Sequence, residues 1–371
     1  MATKKPTSTE EPNIKTLLLG VQAPYNHIKP IQVYFDEFLN LVSTLGLEYA
    51  KTLFLKIRKI DKTNFLTKGK LLEISDFCKK NGIEEVVFSE ILSPLQERNL
   101  ADFLDCIVWD REKLILEIFK KAAHTSEGKI QVDIAEIEFL KARLAGKGIE
   151  LAQQAGIIGT RGPGETSKEI IRRHLAEKYH QAKKRLDIIK KSKSVQRKKR
   201  LESKIPFVCL VGYTNAGKSS LLNLLTKSDV LVEDKLFATL DTTTRKLFLN
   251  HQKMILISDT VGFISQLPHH LIEAFKTTLE ELNFSNLILH VVDLSNSAWK
   301  DQINVVKKTL NELQIEQKIL YIFNKIDKIK NKELKKLKTI LEEYDHYVLT
   351  HTKSKDGIKD LLKFLQNYKF K

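Results

Sequence analysis

The segment that most restricts the possible folds of this chain is FVCLVGYTNAGKS, at residues 207–219. A continuous apolar strand pattern leads directly into the motif GxxxxGK[ST], and the pattern SLLNLLTK that follows is typical of a helix. Glycines in such a loop let backbone N–H groups surround a phosphate, and the start of the helix adds a favourable partial charge. The segment therefore predicts a phosphate-binding loop at the carboxyl edge of a parallel sheet.

Two residues of this loop have specific expected roles. Lys218 would bridge the β- and γ-phosphates of a nucleotide, and the hydroxyl of Ser219 would be a ligand of Mg²⁺. The motif also arises by chance in unrelated chains. Here the strand before it and the helix after it support a genuine phosphate site.

A second motif, DTVG at residues 259–262, follows the apolar run MILIS. Asp259 would stand at a strand end and hold Mg²⁺ through water, and the N–H of Gly262 would meet the γ-phosphate.

The stretch KLFATLDTTTRKLFL lies between these two motifs and is rich in threonine, as expected of a segment that the γ-phosphate and Mg²⁺ order. We choose Thr239 as the metal ligand of this stretch. Alternatives that spacing does not exclude are Thr242, Thr243 and Thr244, and all four threonines are also typical of a strand.

A third motif, NKID at residues 324–327, ends the strand pattern YIFN and indicates guanine. The carboxylate of Asp327 accepts hydrogen bonds from guanine N1–H and from the 2-amino group, a donor pair that adenine lacks. Asn324 would bind the base and tie the loops together, and the stem of Lys325 would cover the base. The last loop on the base side is expected after the strand pattern HYVLT, at His351, Thr352 and Lys353.

Alternation of strand and helix patterns predicts an α/β protein in four parts. Residues 1–12 are polar and expected to be disordered, and residues 13–110 predict a small α/β subdomain in which Gly82 ends one helix and Ser93-Pro94 starts another. Residues 111–204 predict a long helical hairpin, with a first arm from Glu112 to about Gln154 and a Gly-rich tip. Residues 205–371 predict a doubly wound P-loop domain of the GTPase type.

Positive charge is concentrated in one segment of the chain. The net charge is +16, and residues 166–204 hold fifteen Lys or Arg against four Asp or Glu, a net of +11. A charge run of this kind is often only a solvated helix face, but beside a Gly-rich tip it also suits the backbone of RNA. The candidate RNA contacts are Arg161, Gly162, Pro163, Gly164, Lys183, Lys184 and Arg185.

Composition restricts the location and the cysteine chemistry. The chain has no run of about 18 apolar residues and its first residues have no apolar core of a signal peptide, so we expect a cytoplasmic protein without a membrane-spanning segment; peripheral membrane association is left open. Cys78, Cys106 and Cys209 lie far apart in apolar runs, and we expect buried thiols rather than disulfides or metal ligands.

These motifs together resemble the HflX family of ribosome-associated translational GTPases. The resemblance covers nearly the whole chain and rests on KGKLLEI, LSPLQERNL, REKLILEIF with HTSEGKIQVDIAEIEF, GTRGPGET, GYTNAGKSSLLN, LFATLD, DTVGFI with LPHHLIEAFKTTLEE, and NKID. It implies an N-terminal subdomain and hairpin before a GTPase domain, binding to the large ribosomal subunit, and a stress-linked role in dissociating or rescuing ribosomes.

The resemblance also implies site residues. It implies Ser219 and Thr239 as ligands of Mg²⁺. The residues that it implies at GTP are Gly212, Tyr213, Thr214, Asn215, Ala216, Gly217, Lys218, Ser219, Phe237, Ala238, Thr239, Leu240, Asp241, Asp259, Thr260, Val261, Gly262, Asn324, Lys325, Ile326 and Asp327.

One residue departs from the arrangement of many GTPases, which carry Gln directly after the glycine of DxxG to orient the attacking water. Phe263 stands at this position and has neither a donor nor an acceptor. We therefore expect slow hydrolysis by the isolated protein, with help from a ribosomal partner or from K⁺ held near Asn215. Asn215 could equally serve only to brace the loop.

Three classes of function are compatible with a P-loop protein of this kind. The first is a GTPase that acts on the ribosome, and the alternative is a GTP-dependent RNA-binding factor in rRNA or tRNA maturation that does not split ribosomes. A metabolic enzyme is disfavoured because NKID selects guanine and no separate set of acids, bases or metal ligands is evident. We expect a monomer.

Overall fold

The computed structural model of the chain describes residues 15–26, 28, 30–144, 167–203, 205–226, 236–237, 240, 242–250 and 253–370. By their contacts these residues form two compact units. One unit contains the described residues up to 26 together with Gly46–Leu114, and the other contains Ile28–Leu45 together with the described residues from Ile115 onward. In this grouping Ile28–Leu45 belongs to the larger unit, whereas the segments before and after it belong to the smaller unit.

A four-stranded parallel sheet forms the centre of the smaller unit. Its strands, in the order β2-β1-β3-β4, are β1 Thr16–Gln22, β2 Lys51–Lys56, β3 Glu85–Phe88 and β4 Ile107–Trp109. Leu17, Leu19 and Val21 alternate along β1 and so point to one face of the sheet. They belong to the buried cluster that includes side chains of the helices α2 Lys68–Asn81 and α3 Pro94–Leu104.

Helix α3 begins and helix α2 ends at the residues that the sequence predicts. Ser93 is the N-cap of α3, where its hydroxyl accepts from the N–H of Gln96 and the Gln96 side chain accepts from the N–H of Ser93. Pro94 occupies the first turn, where its missing N–H costs nothing. Gly82 ends α2 in the left-handed conformation with φ +60°, which favours glycine.

A six-stranded sheet forms the centre of the larger unit, in the order β10-β9-β8-β5-β7-β6. All neighbouring strands are parallel except β6 and β7. The strands are β5 Phe207–Gly212, β6 Thr243–Phe248, β7 Met254–Asp259, β8 Leu287–Asp293, β9 Ile319–Asn324 and β10 Tyr347–Leu349. The order reverses beside β5, so the loop after β5 lies at the switch point where such sheets bind ligands.

Helices cover both faces of this sheet. The covering helices are α7 Lys218–Thr226, α8 His269–Leu279, α9 Trp299–Glu312, α10 Asn331–Leu341 and α11 Lys359–Asn367. Helix α1 Ile31–Leu45 belongs to the same unit. Val208 and Leu210 of β5 cluster with side chains of α7 and α11, whereas Cys209 and Val211 cluster with those of α9. Burial on both faces explains why β5 is apolar throughout. The α/β doubly wound fold is therefore confirmed.

The predicted first arm of the hairpin is wrong in one respect. It is not one helix from Glu112, because α4 Arg111–Ala122 ends and α5 Ser126–Arg143 begins after a short break. Thr125 produces this break as the N-cap of α5, since its Oγ1 accepts from the N–H of Gly128 at 3.0 Å.

The second arm of the hairpin is α6 Ser167–Glu202, which is 36 residues long. It packs on α5 through two buried clusters that include Ile134, Ile137, Leu175 and Leu186. Residues 145–166, which include the predicted tip, lie outside the described residues. Within the described part of the chain, no helix is long and apolar enough to cross a membrane.

All three cysteines are free thiols in buried positions, as predicted. Burial, with a contribution from neighbouring Cys106, raises the pKa of Cys78 to about 12. Burial also raises the pKa of Cys106 above its ordinary value. Thiols that stay protonated are poor nucleophiles and poor metal ligands, so Cys78 and Cys106 are structural residues.

Lys253 provides a test of how the C-terminal helix is held. Its Nζ donates to the carbonyl oxygens of Leu365 at 3.0 Å, Gln366 at 2.8 Å and Tyr368 at 2.8 Å, at the end of α11. Removing these donors by Lys253→Ala should lower the free energy of unfolding by about 1–2 kcal/mol in urea titrations. Lys363→Ala, an exposed change in the same helix, is the control; equal losses in both variants would contradict the prediction.

Candidate nucleotide-binding site

The loop between β5 and α7 closes around the ammonium group of Lys218. The Nζ donates to the carbonyl oxygens of Gly212 at 3.2 Å and Tyr213 at 3.0 Å, and the side chain is almost fully buried, with 6% of the residue exposed. Burial lowers the pKa of Lys218, while the nearby carboxylate of Asp259 opposes this effect. A buried cation at the start of a helix is a suitable partner for phosphate oxygens.

Two oxygen ligands suited to Mg²⁺ meet beside this loop. The Ser219 Oγ donates to Asp259 Oδ2 at 2.6 Å, and only 1% of Asp259 is exposed, at the end of β7. A hydroxyl and a carboxylate are the hard oxygen donors that Mg²⁺ prefers, so these residues fit the predicted ion. Among the described residues there is no group of three or more His, Cys, Asp or Glu that could hold a metal.

The structure describes some of the threonines between the two motifs but not Thr239. Thr239, the predicted Mg²⁺ ligand, lies outside the described residues together with Ala238 and Asp241. Thr243 and Thr244 lie in β6, where Thr244 Oγ1 donates to Ser258 Oγ of β7 at 3.2 Å. Thr244 therefore takes part in the sheet.

The DTVG segment lies against the P-loop. Thr214 N–H donates to the carbonyl of Phe263 at 2.7 Å, and Phe263 N–H donates to the carbonyl of Gly212 at 3.1 Å. A Cβ at Gly262 would come within 2.9 Å of Thr214 Cγ2 and 3.0 Å of Lys218 Nζ, so this close approach requires glycine. The segment thus places Gly262 close to the buried ammonium group.

The side chain of Phe263 belongs to the hydrophobic core. It is 3% exposed and clusters with Val211, Leu279 and Leu282. The phenyl ring therefore stabilises the position of the DTVG segment by packing.

The NKID loop is joined to the P-loop by two hydrogen bonds. Asn324 Nδ2 donates to the carbonyl of Ala216 at 3.0 Å, and Lys325 Nζ donates to the carbonyl of Asn215 at 2.6 Å. Gly217 has φ +92°, and a Cβ there would lie 2.4 Å from Asn324 Nδ2. The amide of Asn324 can approach the loop only because residue 217 is glycine.

Asp327 lies beside the last predicted loop. Lys353 Nζ forms an ion pair with Asp327 Oδ2 at 3.0 Å. Burial raises the pKa of Asp327, but the hydrogen bond from Lys353 and other nearby groups lower it more, so the pKa lies below its ordinary value. The carboxylate is consequently ionised at neutral pH, the form that accepts two hydrogen bonds. The start of the loop is fixed by His351 N–H, which donates to the carbonyl of Gly357 at 3.2 Å.

The start of the threonine-rich stretch is anchored by aromatic packing. The resemblance implies Phe237 at the nucleotide, and its ring packs edge-on against Phe119 of α4. Phe119 in turn packs edge-on against Phe275 of α8. The ring centroids are 4.6 Å apart for Phe119 and Phe237 and 5.0 Å apart for Phe119 and Phe275. Phe237 holds this place with φ +57°, an uncommon conformation for a residue with a side chain.

The predicted RNA-contact residues are described only in part. Lys183, Lys184 and Arg185 are exposed on α6, whereas Ala182 and Leu186 on either side are buried against α5. The tip residues Arg161, Gly162, Pro163 and Gly164 lie outside the described residues. These three basic side chains, which we call the basic face of α6, are therefore available to solvent in the described structure.

Several residues of the site have no motif that would reveal them in the sequence. Asp293 at the end of β8 forms an ion pair with Lys325 at 2.8 Å, and Thr350 Oγ1 donates to Asn324 Oδ1 at 3.2 Å. Their position at the end of a strand, or directly after it, is the available signal, because strand ends meet at this edge of the sheet. Glu37 and Ser265, which contact Tyr213, give no such signal.

Three family models match consecutive parts of the chain. The model described as GTP-binding GTPase N-terminal matches residues 32–120, and GTP-binding GTPase Middle Region matches residues 122–200. The model described as 50S ribosome-binding GTPase matches residues 207–325, which include the P-loop and the DTVG segment.

Individual relatives match most of the chain. It is 40% identical over 337 residues to GTPase HflX of Caldanaerobacter subterraneus subsp. tengcongensis, which covers 91% of this chain and 77% of that protein. It is 44% identical over 334 residues to GTPase HflX of Lacrimispora saccharolytica, with 89% and 78% covered. For GTPase HflX of Escherichia coli the identity is 41% over 299 residues, with 80% and 70% covered.

A solved structure has a similar fold over almost the full length. The crystal structure of SsGBP in complex with GDP has a TM-score of 0.50 and 24% identity, covering 95% of this chain and 98% of that chain. At this identity the likeness concerns the fold.

Asn324 allows a test of the bond between the two loops. The residue is fully buried, so Asn324→Ala leaves the Ala216 carbonyl and the Thr350 hydroxyl without these partners. We expect a loss of about 1–3 kcal/mol in unfolding free energy and a smaller thermal shift on adding GDP. Asn367→Ala, an exposed change on α11, should alter neither quantity. An unchanged GDP shift in Asn324→Ala would show that this bond does not support the site.

Proposed function

Because the chain belongs to the HflX family of GTPases, we propose that it couples GTP hydrolysis to an action on the ribosome, chiefly on its large subunit. The reaction of the family is hydrolysis of GTP to GDP and phosphate. The contacts to GTP, the metal ligands and the action on ribosomes are our proposals for this chain.

The observation that carries the proposed GTP site is the bond from Asn324 to the carbonyl of Ala216. It brings the guanine-selective NKID loop against the phosphate loop, as one nucleotide spanning both loops requires. In this arrangement Asp327 accepts from guanine, Lys218 contacts the β- and γ-phosphates, and Gly262 N–H contacts the γ-phosphate.

We propose that Mg²⁺ is held by Ser219 and Thr239, with Asp259 acting through water. When bound, the ion neutralises charge on the β- and γ-phosphates. The contact between Ser219 and Asp259 supports this choice for the described residues. We also propose Asn215 as a K⁺ ligand, since its exposed side chain lies on the loop beside the proposed phosphate position.

The burial of Phe263 supports slow hydrolysis by the isolated protein. Its ring is buried in the hydrophobic core and has no donor or acceptor, so it cannot orient water as a glutamine at this position does. We propose that the ribosome orders the groups around the attacking water and so raises kcat.

The exposed face of α6 supports RNA as the partner. Lys183, Lys184 and Arg185 present three cations in succession, and phosphate backbones attract such clusters in a salt-dependent manner. We propose that this face and the tip bind the large subunit and that the protein dissociates or rescues ribosomes. We further propose that it acts as a monomer in the cytoplasm.

Asp327→Asn tests the assignment of guanine. The amide loses the paired acceptors for guanine, so GTP affinity should fall by about a hundredfold, whereas xanthosine triphosphate, which has an oxo group at position 2, should bind better than GTP. Titration of both nucleotides against wild type and variant measures this exchange. Unchanged GTP affinity in the variant would refute the role of Asp327.

Reversal of charge on α6 tests the ribosomal partner. The triple variant Lys183→Glu, Lys184→Glu, Arg185→Glu should reduce co-sedimentation with large subunits by about tenfold or more, with a steep loss of binding as salt rises. GDP binding should stay unchanged, because these residues lie outside the nucleotide site.

The matched control reverses three exposed lysines of α10, Lys332, Lys335 and Lys336, and so makes the same charge change elsewhere. Equal sedimentation of wild type and both triple variants would make the α6 face a solvated surface only. Gradients of intact ribosomes with GTP, GDP and a non-hydrolysable analogue then show whether ribosomes are dissociated; binding without dissociation would favour an RNA-maturation role.

A further inference from the structure

Helix α1 contacts the candidate nucleotide site along one face, although it lies more than 150 residues before the P-loop in sequence. Thr44 Oγ1 accepts from the N–H of Leu236 at 3.1 Å, at the start of the threonine-rich stretch. Glu37 contacts the P-loop residue Tyr213. Positions 37 and 44 are two turns apart and therefore lie on the same side of the helix.

Glu37 is the centre of a compact hydrogen-bonded cluster. Tyr213 Oη donates to Glu37 Oε2, and Ser265 Oγ donates to Glu37 Oε1 at 3.0 Å. The N–H of Ser265 donates to Tyr213 Oη at 2.7 Å, and the Oη also lies 3.0 Å from Ser265 Oγ. Tyr213 and Ser265 are each only 6% exposed, so these polar groups have little water to replace a lost partner.

The cluster joins the two segments that contact a bound γ-phosphate in the proposed site. Tyr213 is the second residue of the P-loop, and Ser265 follows Gly262 by three residues. The backbone hydrogen bonds of Phe263 with Gly212 and Thr214 connect the same two segments. One carboxylate that accepts from both segments therefore opposes their separation.

We propose that Glu37 is a positioning residue for GTP hydrolysis. Through Tyr213 and Ser265 it fixes the position of the P-loop relative to the DTVG segment. The proposal rests on the proposed GTP site. It makes α1 a structural part of the catalytic domain, even though its sequence lies within the N-terminal region.

This role predicts an effect that depends on the γ-phosphate. GDP contacts the P-loop and the base loop, but it has no γ-phosphate for the N–H of Gly262 to contact. A change in the relative position of the two segments should therefore impair hydrolysis and binding of a GTP analogue, while GDP affinity is retained. A purely structural role in folding would reduce the binding of both nucleotides together.

The test uses the full chain and the variants Glu37→Ala, Tyr213→Phe and the double variant. In single-turnover assays at saturating protein, each single variant should hydrolyse GTP about tenfold more slowly, with GDP affinity within about twofold of wild type. The two residues act as a pair, so the double variant should be about as slow as the slower single variant. Asp36→Ala, which truncates an exposed carboxylate at the preceding position of α1, should hydrolyse GTP at the wild-type rate.

Four results would overturn the proposal: wild-type or faster hydrolysis in Glu37→Ala, an equal slowing in Asp36→Ala, additive losses in the double variant, or parallel losses of GDP and GTP-analogue binding. If Glu37→Ala does not fold, Glu37→Gln keeps the side-chain volume, removes the charge and one acceptor, and is judged by the same criteria. Failure of the GTP site itself would be seen separately, as normal GTP affinity in Asp327→Asn or absent GDP binding in wild type.

Discussion

The arrangement of the site depends on one buried charge, the ammonium group of Lys218. Transfer of a cation out of water is costly unless anions or dipoles surround it, and here the carbonyls of Gly212 and Tyr213 and the carboxylate of Asp259 do so. This requirement explains why the loop curls back on itself and why an acid stands at the end of β7. A polyphosphate with its metal ion supplies further negative charge at the same place, which is why a nucleotide suits the site.

The nucleotide domain is joined to the helices that precede it by three kinds of contact. Glu37 joins α1 to the P-loop by hydrogen bonds, and the ring of Phe119 joins α4 to the start of the threonine-rich stretch. Lys193 on the basic helix α6 forms ion pairs with Glu127 of α5 at 2.6 Å and with Glu281, just after α8, at 3.6 Å. The helix proposed to bind RNA is thus in direct contact with the residues just after α8, the helix that follows the DTVG segment. This packing provides a structural connection between the proposed partner and the proposed site of hydrolysis.

Much of the fold and of the site could be predicted because the deciding signals are local. Ser93, Pro94 and Gly82 act within one turn of the helix that they start or end, and the three nucleotide motifs each follow an apolar strand. The apolar stripe does not predict the break at Thr125, because the stripe continues across it and a single cap residue competes with that pattern. The inclusion of α1 in the larger unit could not be predicted, since chain order alone placed it with the strands on either side.

The sequence by itself determined the fold class, the P-loop and NKID motifs, the burial of the cysteines and the concentration of positive charge on one helix. Periodicity, turn chemistry and motif spacing are properties of neighbouring residues, so they can be recognised without coordinates. Only the tertiary structure decided which distant residues support the motifs. Glu37 and Ser265 are 228 positions apart, and Phe119 and Phe237 also lie in distant parts of the sequence. Such pairs come together through the packing of whole helices and strands, and no short stretch of the chain contains that information.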